Sequence, residues 1–253
     1  MMPTVDLNCD MGESYGAYSI GADGAVMPYV TSANIACGFH GGDPAVMRKT
    51  VQAALEHKVA VGAHPGLPDL VGFGRRTMDI SAQEAYDMVV YQVGALMATA
   101  AALGTRVAHV KPHGALYNMA AAKPALAESI ARAVRDVDDE FVFFGLAGSH
   151  MITAGEAMGL RTASEVFADR NYMPDGSLVP RGRPDAMVDS ADAALRRAID
   201  MVRRGTVRSV EGTEISLRAD TICIHGDGPH AGEFARALRT GLEAAGIAVR
   251  ATL

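Results

Sequence analysis

About seven times along this chain a short β-prone run ends in a polar loop and gives way to a segment of helical periodicity. That alternation constrains the fold more than any other feature. Strands joined through helices of this length run parallel, with right-handed crossovers. Side chains on the loops then stand at the carboxyl ends of the strands, where βα-barrels and open α/β sheets hold their ligands. Residues 34–43 show the pattern most fully. They finish a β-prone run that starts at Tyr29, set His40 among Gly38, Gly41 and Gly42, and end in Asp43 and Pro44. This pair reads as the N-cap and first position of a helix over about 45–56.

The first strand is expected at 4–9, with Asp10 and Glu13 in the loop leaving it. A third strand at 58–65 ends in His64, and a fourth at 106–111 delivers Lys111 and His113. Strands at 141–144 and 220–225 follow, the last running into Gly226, Asp227 and Gly228. Helices are predicted over 85–103, 124–137, 189–204 and 231–245, with a short one ending near Met158. The first of these is announced by the capping signal Ser81 to Glu84. Residues 174–184 carry the turn chemistry of a hairpin or lid, and Arg170, Arg181 and Arg183 concentrate positive charge there. Polar strand-end residues after nearly every strand would converge only around a ring, so the reading is α/β, a distorted or incomplete seven-stranded TIM-type barrel. One domain over 1–253 is expected.

With 49% hydrophobic and 21% charged residues, the chain can bury a substantial core. A formal charge of -6, with no long Lys/Arg cluster, argues against nucleic-acid or anionic-membrane partners and points to a small molecule. The amino terminus has no basic and apolar leader, and no run approaches the roughly 20 apolar residues of a membrane helix, so a cytoplasmic protein is expected. Cys9, Cys37 and Cys223 form no paired motif and read as packing residues.

Asp10, His40, His64, Lys111, His113, Glu165, His225 and Asp227 fall on one expected rim. Each has a plainer explanation, as a cap, a solvated loop acid or a core histidine. Four strand-end histidines together are harder to explain by packing. Histidine with carboxylate can activate water, protonate a leaving amine or hold a divalent metal, and the lysine can polarise a carbonyl or neutralise phosphate. His109 shares the face of Lys111 and is equally readable as a core residue. The sequence contains no His-Glu-x-x-His, nucleophile elbow or P-loop, which excludes zincin, α/β-hydrolase and Walker-type readings. Gly226-Asp227-Gly228 suits a phosphate only weakly.

The stretches at 6–8, 32–43, 62–65, 109–114, 165–170, 175–181 and 225–228 together resemble the LamB/YcsF family along the whole chain. The resemblance implies a seven-stranded barrel similar to the glycoside hydrolase/deacetylase superfamily. It also implies one subunit of an ATP-dependent 5-oxoprolinase, working with subunits B and C to open 5-oxoproline to L-glutamate. On that reading ATP is a co-substrate, and which subunit binds it stays open, the partners being candidates because this chain has no recognisable nucleotide motif. The chemistry of the rim, rather than the resemblance, casts Asp10 with His40 or His64 as base or divalent metal site, and Lys111, His113 and His225 as stabilisers of phosphate and oxyanion. Glu165, Arg170, Arg181, Gly226, Asp227 and Gly228 are the candidate substrate or phosphate contacts. Two alternatives stay open: a metal-dependent amide hydrolase or deacetylase that needs no ATP, and a non-catalytic scaffold subunit.

Overall fold

The computed structural model describes residues 2–188, 190–225 and 230–252. Its elements are β1 (Thr4–Met11), α1 (Asp23–Val26) running into a 3-10 turn (Met27–Tyr29), β2 (Ser32–Ala36), α2 (Pro44–His57) and β3 (Ala60–His64). Next come α3 (Ala82–Ala102), β4 (His109–Val110), α4 (Gly114–Ala122), α5 (Pro124–Val137), β5 (Val142–Leu146), α6 (His150–Ala157) and β6 (Arg161–Phe167). The chain closes with α7 (Ala191–Arg204), β7 (Thr206–Arg208), β8 (Glu214–Ser216), β9 (Thr221–Ile224), α8 (Ala231–Ala244) and β10 (Ala248–Val249).

Strands β1 to β6 pair in chain order, all parallel, and β9 pairs with both β6 and β1. The ring is closed, which decides for the barrel over the open sheet. The short β10 runs parallel to the start of β1, and β7 and β8 form a separate antiparallel pair. No helix among the described residues is long and apolar enough to cross a membrane.

Local signals account for most boundaries. Asp43 Oδ1 accepts the amides of Ala45 and Val46 at 2.8 and 2.9 Å, so α2 starts where its cap and proline dictate. Ser81 and Glu84 form a complete capping box at α3. Three expectations fail at their edges. Strand β2 begins at Ser32 rather than Tyr29, because Pro28 sits in a 3-10 turn there. Strand β4 is two residues long, not six. Helix α7 starts at Ala191, capped by Ser190, whose Oγ accepts from the Ala193 amide at 3.2 Å; Asp189, the expected first residue, lies outside the described residues. Helix α4 has no counterpart among the expected elements. Ala115, Leu116, Tyr117, Met119 and Ala120 are buried around most of its circumference, so no amphipathic stripe announces it.

The strands divide their side chains by alternation. On β1, Val5, Leu7, Cys9 and Met11 join the apolar core shared with the helices. Asp6, Asn8 and Asp10 turn the other way, into the ring. Polar partners meet them: Ser32 Oγ donates to Asp6 Oδ1 at 2.7 Å, and Asn34 Nδ2 donates to Asn8 Oδ1 at 2.7 Å and to Asp10 Oδ1 at 2.8 Å. Val142, Phe144 and Ala163 make a small separate apolar cluster. His109, fully buried, stacks on Phe144 and donates from Nε2 to Asn34 Oδ1 at 2.7 Å. A Cβ on Gly62 would fall 2.0 Å from that ring, so the glycine makes room for the histidine.

A histidine and carboxylate cluster at the barrel mouth

The carboxyl ends of the strands surround a cavity of about 620 Å³. Asp10, His64, Lys111, His113 and His225 line it, although they come from four different strand ends. His40 is fully buried beside them, its ring stacked on His113 with centroids 3.7 Å apart. A Cβ on Gly66 would fall 2.4 Å from His40 Nδ1, and one on Gly74 would meet both His40 and His113. The glycines of the long loop after β3 therefore let it close over two histidines.

Hydrogen bonds fix the tautomers. His64 Nδ1 lies 2.7 Å from the Lys111 carbonyl, and His113 Nε2 lies 2.8 Å from the Phe73 carbonyl. A carbonyl oxygen only accepts, so both of these nitrogens carry protons. The opposite nitrogens, His64 Nε2 and His113 Nδ1, face each other at 2.9 Å. Asp10 Oδ2 is 3.2 Å from His64 Nε2, and Glu13 Oε1 is 3.4 Å from His113 Nδ1 and 3.2 Å from His40 Nε2. Lone pairs and carboxylates thus converge on one point. Such a cluster requires a cation at its centre, either a shared proton or a divalent metal.

The donor set fits a metal. One ligand atom each from Glu13, His40, His64 and His113 lie within 4.8 Å of one another, all four residues are buried, and two of the imidazoles are oriented from behind by carbonyls. Glu13, read from the sequence as a loop acid or cap, thus stands where Asp10 was expected in the metal set; Asp10 adjoins the group through His64. Burial and the neighbouring His64 push His113 down to about 3, and burial likewise lowers His40, so both present neutral, lone-pair-bearing rings at ordinary pH.

Beneath this cluster Lys111 is 2% exposed and sits between two acids, 2.9 Å from Asp10 Oδ1 and 2.8 Å from Glu165 Oε1. Burial opposes its charge, but Asp10 and Glu165 outweigh that and hold the ammonium well above the ordinary lysine range. Burial also opposes ionisation of Asp10, and His64 and Lys111 more than offset it. Glu165, expected to touch substrate or phosphate, is fully buried and does not line the cavity. Its oxygens are occupied by Lys111, by the Tyr117 hydroxyl at 2.7 Å and by Asn8 Nδ2 at 3.0 Å.

From the ends of β6 and β9 comes a second group. Asp169 Oδ2 accepts from His225 Nδ1 at 2.6 Å, and His225 stacks against Phe167. Arg170 and Arg181 line the same cavity. Arg183 instead pairs with Asp185 at 2.7 Å on the surface. Gly226, Asp227 and Gly228 lie outside the described residues. The three cysteines are buried and unpaired. Burial pushes the Cys37 thiol up to about 12, and the other two also rise, as expected of packing groups rather than nucleophiles.

A closed parallel barrel with its titratable groups gathered at the strand carboxyl ends defines a βα-barrel protein with a candidate ligand site at that mouth. Residues 5–253 match the LamB/YcsF family, and the chain belongs to it. It is 62% identical over 251 residues to the A-type subunit of 5-oxoprolinase from Bordetella pertussis, covering 99% of this chain and 100% of that one. The crystal structure of a lactam utilization protein from Thermus thermophilus superposes with a TM-score of 0.92 at 48% identity, over 98% of this chain and 99% of that one. Peptidoglycan deacetylase PdaC from Bacillus subtilis shares the fold at a TM-score of 0.50 and 12% identity, over 99% of this chain and 88% of that one.

Proposed function

We propose that this chain is the A-type subunit of a 5-oxoprolinase, a hydrolase that opens the lactam of 5-oxoproline to L-glutamate while ATP is hydrolysed to ADP and phosphate. The observation that carries the reading is its 62% identity, over essentially its whole length, with a relative of that name. The mouth of the barrel supplies fitting chemistry. A five-membered lactam is a poor electrophile, and phosphorylating its carbonyl oxygen opens the ring carbon to attack by water. Departure of the ring nitrogen then leaves an acyl phosphate, which a second water hydrolyses to L-glutamate and phosphate. Asp10, beside the cluster, takes the proton of the attacking water, helped by His113 where the cluster holds a shared proton in place of a metal. A divalent metal held by Glu13, His40, His64 and His113 would supply Lewis acidity and lower the pKa of bound water. The fixed charge of Lys111 favours the developing oxyanion. His225, oriented by Asp169, is placed to protonate the departing ring nitrogen.

The partners on this reading are subunits B and C, with ATP held mainly by them. A second reading, an amide hydrolase that needs no ATP, is favoured by the Glu13, His40, His64 and His113 set alone. Glutamate release from 5-oxoproline by the chain combined with subunits B and C, measured with and without ATP, separates the two. Release only with ATP supports the first reading, and equal release without it supports the second. No release in either condition refutes both.

A further inference from the structure

Arg170 is 6% exposed, yet no ion pair reaches its guanidinium among the described residues. Its Nη2 donates to the Val179 carbonyl at 2.6 Å, its Nε is buried without a partner, and Nη1 makes no hydrogen bond to any described residue. The adjacent carboxylate, Asp169, engages His225 through Oδ2, and its Oδ1 is buried with no hydrogen bond to Arg170 or to any other described residue. A buried guanidinium with one of its five donors used among the described residues is expensive to hold unless an anion completes it. Arg181, lining the same cavity, adds a second positive charge and no compensation. Burial, with Arg181 second, depresses Arg170 to about 10, and the charge of Asp169 offsets this only in part.

The position of this deficit identifies its ligand. The histidine and carboxylate cluster comes from the β1 to β4 arc of the ring, whereas Arg170 follows β6, on the arc next to His225. Both arcs face one cavity. A ligand that lies across the cavity with its amide carbonyl at the cluster can present an anionic group to Arg170. Resting on the 5-oxoprolinase reading, we propose that Arg170, backed by Arg181, binds the carboxylate of the lactam acid and restricts the site to acidic lactams. A planar carboxylate suits the planar fork of an arginine, which lysine does not reproduce.

The wild-type enzyme assembled with its partner subunits provides the first test, with 5-oxoproline compared against 5-oxoprolinamide and 2-pyrrolidinone, which keep the lactam and lack the charge. The kcat/KM for the neutral lactams should be lower by about a hundredfold or more, as for a site left with an unpaired buried donor. Arg170→Gln should raise KM for 5-oxoproline by a similar factor with a smaller change in kcat, and should leave the neutral lactams nearly unaffected. Arg170→Lys should recover only part of the loss. Neutral lactams used as well as 5-oxoproline by the wild type would overturn the assignment and leave Arg170 to a phosphoryl group. So would an Arg170→Gln enzyme that loses the same factor on all three lactams. Absence of any ATP-dependent glutamate from the wild-type assembly would sink the broader reading instead, a result distinct from either.

Discussion

At the scale of single residues, the tautomers carry the argument. Because both His64 and His113 spend one nitrogen on a carbonyl, neither can turn away from the cluster without losing a buried hydrogen bond. Replacing His64 by alanine should lower turnover in the assembled enzyme by about a hundredfold or more, the scale for removing a positioned acid-base group, while the melting temperature changes little. Unchanged turnover would remove His64 from the chemistry. His109 behaves in the opposite way. It is held neutral by burial, with its pKa pushed down to about 3, whereas the unfolded chain protonates it near the ordinary value of 6.5. Its contribution to stability is therefore intact above about pH 6.5 and is lost as the pH falls towards 3, by at most about 1.4 kcal/mol per pH unit. Urea denaturation between pH 6.5 and 4.5 should show a shallower decline for His109→Gln than for the wild type. The histidines are legible in the sequence because each ends a β-prone run. Which nitrogen faces which is not, since Phe73 and Lys111 supply the deciding carbonyls from other parts of the chain.

At the scale of elements, strand alternation explains both what the sequence reveals and what it hides. Asp6, Asn8 and Asp10 recur at every second position of β1, as do Ser32 and Asn34 on β2. That period marks an inward polar face, and it is the available signal for Asn8 and Asn34, which are absent from the candidate residues. Tyr117 gives no such signal, because α4 is apolar nearly all round and its hydroxyl reaches Glu165 only after the barrel has closed. Capped helices are readable to within a few residues, whereas β4 is shorter than expected, since its pairing depends on neighbours and not on its own composition. Glu165 illustrates the cost of judging a residue by chain position. It belongs to the interior of the ring with Lys111, so Glu165→Ala should destabilise the fold by about 3 kcal/mol, the usual penalty for removing one partner of a buried ion pair. A denaturant midpoint equal to that of the wild type would return Glu165 to the substrate contacts.

At the scale of the whole molecule, the seven-stranded ring is legible because convergence of so many strand-end polar groups admits few other architectures. The division of the mouth into two arcs is not, because Arg170 and His225 reach the cavity only through the closure of β9 onto β1 and β6. That division bears on what one chain can do alone. On the proposed reading the cluster arc offers proton and cation chemistry and the Arg170 arc a seat for a carboxylate, but the sequence carries no recognisable nucleotide-binding motif. On that same reading, the partner subunits activate the lactam oxygen. The isolated chain should bind 5-oxoproline, read by calorimetry, yet release little or no glutamate with ATP present. Adding subunits B and C should restore turnover, with ADP and glutamate formed in equal amounts. Robust ATP-dependent turnover by the isolated chain would show that the nucleotide is handled within this barrel, and would move the search for its phosphates to the mouth between the two arcs.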